Sequence, residues 1–166
     1  MTKIKKITFK YVEHESFSDL ESEDSRLITE AKRAAENAYA PYSGFRVGAA
    51  VMLESGIIVH GSNVENAAFP SGICAERTAL AYAVANHAGD RPSAIAIAAM
   101  NGTVFTSAPV SPCGNCRQMI IEEEYRNKKE IRILLYGEEK ILIIESAASL
   151  LPLQFDKGSL SLHHSL

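Results

Sequence analysis

Cys74, Cys113 and Cys116 each fall where the sequence predicts a helix to begin. Those placements limit the possible folds more than any other feature of the chain. Cys113 and Cys116 lie in Ser111-Pro112-Cys113-Gly114-Asn115-Cys116-Arg117-Gln118, with Pro112 just ahead of the expected start and Gly114 leaving room for close approach. The unpaired N–H groups and dipole of a helix start favour negative charge, and therefore the thiolate. A three-residue spacing lets two such sulfurs converge on one ion. If Cys74 joins them, the fold must bring two helix starts together. Three sulfur ligands suit zinc and leave a fourth position for water, as in catalytic sites. A closed structural site would need a fourth ligand, for which His60 and His87 are the central candidates. A bare C-x-x-C is also compatible with a redox pair. Three cysteines do not resemble the disulfide framework of a secreted mini-domain.

The remaining pattern describes one α/β unit. Ile7, Phe9 and Tyr11 alternate with Thr8, Lys10 and Val12, so Lys3 to Val12 reads as an edge strand blunted by lysines. His14 to Asp24 is acidic and reads as a loop. Ser25 is placed to cap a helix running to about Tyr39, ended by Pro41. Val47–Glu54 and Ile57–Gly61 form an expected hairpin about Ser55-Gly56. A helix follows from Cys74 or Ala75 to His87, then a buried strand over Ile95–Ala99 and a third helix over Gly114–Tyr125. Ile131–Tyr136 and Lys140–Ile144 read as strands, and Ser146–Leu151 as a short helix broken by Pro152. Five to six strands interleaved with three main helices indicate a single α/β layer sandwich. The 166-residue length suits one domain with its own core. The longest apolar runs are too short to span a bilayer, and no apolar signal core follows the basic start. A cytoplasmic protein with no membrane partner is the expectation. The net charge of −3, from 17 Lys and Arg against 20 Asp and Glu, argues against a nucleic-acid strand as partner.

Glu76 stands two residues beyond Cys74, near enough to move protons to and from a water held by the metal. C-x-E followed downstream by P-C-x-x-C is the signature of zinc-dependent deaminases in their three-cysteine form. At these residues the chain resembles the cytidine deaminase family, in its short homotetrameric branch. The resemblance extends through Pro41–Ala50, Gly61–Ala67, Gly72–Ala79, Ser111–Gln118 and Leu150–Phe155. It implies a three-layer α-β-α sandwich around a mixed five-stranded sheet, here with an extra N-terminal strand. Residues 1–24 would be an extension, 25–155 the catalytic domain and 156–166 a polar, mobile or docking tail.

The resemblance also implies roles. Cys74, Cys113 and Cys116 would hold one zinc per chain, with Glu76 as proton shuttle in the conversion of cytidine, and 2′-deoxycytidine, to uridine or deoxyuridine and ammonia, for pyrimidine salvage. Asn63 and Glu65 would hold the ribose hydroxyls, Phe45 would stack near the pyrimidine, and the Ala75 backbone would read the base edge. Phe155 would pack over a neighbouring subunit's site, so that a homotetramer shares its active sites. By position alone, beside Cys74 and Cys116, Arg77 and Arg117 are expected to donate hydrogen bonds toward sulfur. Arg46, where relatives often have Pro, would alter the pocket rim, and Phe69, where they often have Tyr, would remove a hydroxyl contact. Other readings are a deaminase for another aminated pyrimidine nucleoside such as blasticidin S, and a non-catalytic zinc or redox module.

Overall fold

Residues 2–160 are described by a computed structural model. The strands are β1 (Val12–His14), β2 (Phe45–Leu53), β3 (Ile58–Ser62), β4 (Pro92–Asn101), β5 (Val104–Phe105), β6 (Arg132–Tyr136) and β7 (Ile141–Ile144). The helices are α1 (Ser22–Glu36), α2 (Ala75–Asn86) and α3 (Gly114–Asn127). One sheet runs in the order β1-β7-β6-β4-β2-β3, with β5 folded back onto β4. β4 and β6 are parallel and joined through α3, whereas the other neighbouring pairs are antiparallel. The sheet is therefore mixed, five strands wide in its body and extended by β1 at one edge.

Strand alternation divides the core into two layers. Ala49, Val51, Leu53, Ile95 and Ile97 point to one face and pack with Ala79, Leu80, Ile120 and Ile121 of α2 and α3. Ala50, Met52, Ala94, Ala96 and Ala98 point to the other, against Leu27, Ile28 and Ala31 of α1. Small residues on both sides bring α1 close to the sheet. A Cβ on Gly48 would lie 2.1 Å from the Ala31 carbonyl oxygen and 2.2 Å from the Ala35 nitrogen, so only glycine fits beneath the helix. Gly61 lets α2 approach in the same way, 2.6 Å from the Ala79 nitrogen. These close approaches set the depth at which α2, and the cysteine at its start, lie against the sheet.

Several sequence expectations change. The stretch from Lys3 to Val12 does not form a strand; only Val12–His14 pairs, because β7 presents a partner edge to those residues alone. α1 begins at Ser22 rather than behind a Ser25 cap. Asp24 accepts both guanidinium nitrogens of Arg132, at 3.1 and 2.7 Å, and this pairing across the fold fixes the earlier turn as helix. Arg46 donates to the Glu36 carbonyl at the end of α1, where a cation favours the helix, instead of facing the pocket rim. β5 was not expected; it follows a tight reversal at Gly102, whose φ is 64°. Ser146–Leu151 forms a 3-10 turn over Ala147–Leu150, capped by the Ser146 hydroxyl. Among the described residues no helix is long and apolar enough to cross a membrane. Part of the expected polar tail, residues 161–166, lies outside the described residues.

Candidate active site

α2 and α3 start side by side on the same face of the sheet, and each is preceded by a cysteine at the capping position, Cys74 and Cys113. The Cys74 sulfur makes no capping bond to its own helix, which leaves it free to face the sulfurs of α3. Cys116, one turn into α3, is fully buried beneath them. The Cys113 and Cys116 sulfurs are 3.5 Å apart, and all three lie within 4.8 Å of one another. Zinc–sulfur bonds of about 2.3 Å at tetrahedral angles set sulfurs about 3.8 Å apart, a spacing these values bracket.

The electrostatics point the same way. Burial pushes the Cys74 and Cys116 thiols up, and the Glu76 charge adds to it. Burial also opposes charge on Cys113, but N–H groups of Cys116 and Asn115, with the two neighbouring sulfurs, hold it below the usual thiol range. A crowded set of this kind becomes fully anionic only with a cation among the sulfurs. Among the described residues no fourth protein ligand joins the group. His60 lies on the α1 side of the sheet, 3.9 Å from Glu30, and His87 stands beyond the far end of α2. A structural site closed by either histidine is therefore excluded.

A cavity of about 720 Å³ opens onto the cysteines, and Cys74 and Cys113 line it together with Glu76, Ala75, Phe45, Asn63 and Glu65. Glu76 is only 5% exposed, and among the described residues no group hydrogen-bonds its carboxylate. Its carboxyl-bearing side chain stands at the cavity wall. Ala75 occupies the first position of α2, where the backbone N–H has no partner within the helix.

Asn63 and Glu65 are pinned by the chain around them. The Asn63 side chain accepts from the Val47 N–H at 2.7 Å and donates to the Phe45 carbonyl at 3.0 Å, which fixes the start of β2. One donor hydrogen and one lone pair of that amide are left over. Glu65 accepts from the Ser43 hydroxyl and from the Tyr42 and Ser43 N–H groups, at 2.8 and 3.3 Å for the latter two. Those contacts, the Ser43 hydroxyl first, hold its carboxyl below the usual carboxylate range. It remains an ionised acceptor at neutral pH.

Other residues fall elsewhere. Phe155 is 58% exposed and does not line the cavity of its own chain; its carbonyl accepts from the Gln118 side chain at 2.8 Å. Arg77, on the first turn of α2, makes no hydrogen bond or ion pair among the described residues. Arg117 does not reach sulfur: its guanidinium donates to the Pro112 and Leu150 carbonyls, both at 2.8 Å. The sequence reasoning assigned no role to Tyr42, Ser43 or the wall residue Val110. Tyr42 stacks edge-on against Phe69 at the cavity mouth, with ring centroids 5.9 Å apart, and Ser43 orients Glu65. The Pro41-Tyr42-Ser43-Gly44 turn was the available signal, since a turn hydroxyl beside a carboxylate-bearing loop is placed to bond it.

Comparison with known proteins fits this geometry. Residues 21–129 match the family model described as the cytidine and deoxycytidylate deaminase zinc-binding region. A cytidine deaminase of Sporosarcina psychrophila is 51% identical over 98 residues, covering 58% of this chain and 67% of that protein. One from Halalkalibacterium halodurans is 46% identical over 96 residues, covering 58% and 68%. The crystal structure of the Burkholderia pseudomallei cytidine deaminase superposes with a TM-score of 0.66 at 43% identity, covering 78% of this chain and 97% of that one. With a match over more than half its length, the three-sulfur cluster included, this chain belongs to the zinc-binding cytidine and deoxycytidylate deaminase family.

Proposed function

We propose that this chain deaminates cytidine, and 2′-deoxycytidine, by hydrolysis in pyrimidine salvage. One observation carries the reading: a single cavity joins the sulfur cluster and a buried, unpartnered carboxylate to a pinned Asn63 and Glu65. Cys74, Cys113 and Cys116 hold one zinc. Bound there, the ion supplies the Lewis acidity that makes water nucleophilic at neutral pH. Glu76 would take a proton from the attacking water and deliver it to ring N3, then pass the water's second proton to the departing amino group. C4 gains an oxygen and loses its nitrogen as ammonia. The free N–H of Ala75 reads the base edge, and Phe45 supplies an apolar wall for the ring. The leftover donor and acceptor of Asn63 bond the ribose hydroxyls, and the ionised Glu65 accepts from them, which favours a nucleoside over a bare base.

The catalytic unit is residues 25–155, with 1–24 and 156–166 as flanking segments. Its assembly is a homotetramer in which Phe155 covers a neighbour's cavity; the outward exposure of Phe155 and Leu153 supports this. Arg77, with no side-chain partner among the described residues, completes the surroundings of the sulfurs. Three unpaired thiols fit a reducing cytoplasm, with no nucleic-acid or membrane partner.

The test is to count zinc per chain and follow the absorbance change of cytidine and 2′-deoxycytidine. One zinc and turnover of at least one nucleoside are expected. Zinc-loaded protein that leaves both unchanged would overturn the reading, and turnover of blasticidin S alone would replace it.

A further inference from the structure

Residues 3–11 lie outside the α-β-α layers and outside the segment that matches the family model, and the catalytic reading makes no use of them. They lead directly into β1, whose only partner strand among the described residues is β7, so the outer edge of β1 is open. The side chains of Ile7, Phe9 and Tyr11 are exposed. The Phe9 and Tyr11 rings lie 6.2 Å apart, as alternate residues of an extended chain do. An exposed segment of alternating pattern that continues an open edge strand is a template for another strand.

Its sequence specifies which strand. Drawn out as a strand, the segment would carry on one face, in order, Lys3, Lys5, Ile7, Phe9, Tyr11, Glu13 and, at the bend that follows β1, Glu15. Reversed, that series is complementary to itself: basic, basic, apolar, apolar, apolar, acidic, acidic. We infer that two copies of this chain pair these segments as antiparallel strands about a two-fold axis at Phe9. Lys3 then faces Glu15 of the second copy, Lys5 faces Glu13, Ile7 faces Tyr11 and Phe9 faces itself. Residues 4–6 of each copy lie along the open edge of β1 in the other. The sheet continues from one molecule into the next.

The register is selected by charge. Sliding the pair by two residues sets Lys6 opposite Lys10 in one direction and Lys10 opposite itself in the other, and like charges directly opposed are unfavourable. Sliding by one sets Phe9 against Thr8 or Lys10 and breaks up the apolar centre. Only the Phe9-centred arrangement keeps both ion pairs and the aromatic contact. Glu13 already meets Lys140 at 3.1 Å, and a carboxylate has capacity for a second donor. A second copy fits this face better than a polyanion or an acidic membrane, because Glu13 and Glu15 share the face with the lysines and would repel either. The four lysines of residues 1–10 also leave the remainder of the chain at −7 (−3 less 4), so the segment is attracted to another copy.

Cysteine cross-linking in the zinc-loaded full chain tests the pairing, with the parent chain as control for its native thiols. Opposed residues in an antiparallel pair have Cα atoms about 4.5–5.5 Å apart, within disulfide reach. Lys3 and its copy would be about 40 Å apart. Phe9→Cys should therefore form disulfide dimers on the order of tenfold faster than Lys3→Cys. Adding K3E/K5E to Phe9→Cys should slow the reaction to the rate of Lys3→Cys, as should adding E13K/E15K. Mixing the two charge-reversed proteins should restore it, since each then meets its opposite. Zinc content and circular dichroism report that each variant is folded. Equal rates at positions 9 and 3 would overturn the pairing, as would charge reversal with no effect or a mixture with no recovery. Failure of this test leaves the deaminase reading intact, because none of these residues lines the cavity.

Discussion

Glu76 combines burial, an unpartnered carboxylate and a position one residue into α2, so its role is separable from that of the sulfurs. Glu76→Gln keeps the shape and removes the proton exchange. It should retain zinc at the parent stoichiometry and lose about 10²–10⁴-fold in kcat. Metal analysis alongside nucleoside turnover checks this, and near-parent activity would remove Glu76 from the chemistry. The cysteines and Glu76 were legible in the sequence because their chemistry is local: two helix starts, each marked by its own motif. Arg117 was not. From position alone it is next to a ligand, but its guanidinium finds the Leu150 carbonyl, a partner 33 residues away that only the packing of the 3-10 turn supplies. Arg46 is similar, since nothing near it in sequence reveals that α1 ends beside it.

Among the elements, those whose apolar pattern is complete within one segment were readable. The hairpin β2–β3 turns at Gly56, with φ of 84°, as Ser55-Gly56 suggested, and α2 starts at Ala75. Elements defined by a distant partner were not. The alternation in residues 3–11 marks extended chain, but a strand also needs a neighbour, and β7 provides one only to Val12–His14. β5, two residues long, is too short to show a period. Gly48 belongs to this scale as well. Its sequence context reads as a strand, yet its function is to let α1 touch the sheet. Gly48→Ala places a methyl carbon against backbone atoms of Ala31 and Ala35 that have no freedom to rotate away. The variant should lose about 3 kcal/mol in urea unfolding. An unchanged midpoint would show that α1 can lift from β2 at little cost.

For the molecule as a whole, the layer order followed from alternating helices and strands, whereas the edge of the sheet and the exposed faces did not. Phe69 and Tyr42 present apolar surface at the cavity, and Leu153 and Phe155 present it on the C-terminal segment. If Phe155 closes a neighbour's cavity, Phe155→Ala should keep its zinc and fold and raise KM for cytidine by about tenfold. Light scattering on the parent should give four chains per particle. A monomeric parent with full activity would refute the shared site.

The first turn of α3 faces two ways. Cys113 and Cys116 turn inward to the metal group, while Arg117 and Gln118 turn outward and grip the backbone at Leu150 and Phe155. Two of the sulfurs that would hold the ion and the two side chains that hold the C-terminal segment thus sit together at the start of α3, and whatever orders one narrows the freedom of the other. Linkage of this kind is reciprocal. If subunit contact fixes Phe155, it also tightens the grip on zinc, so a dilute solution should surrender its metal to a chelator faster than a concentrated one.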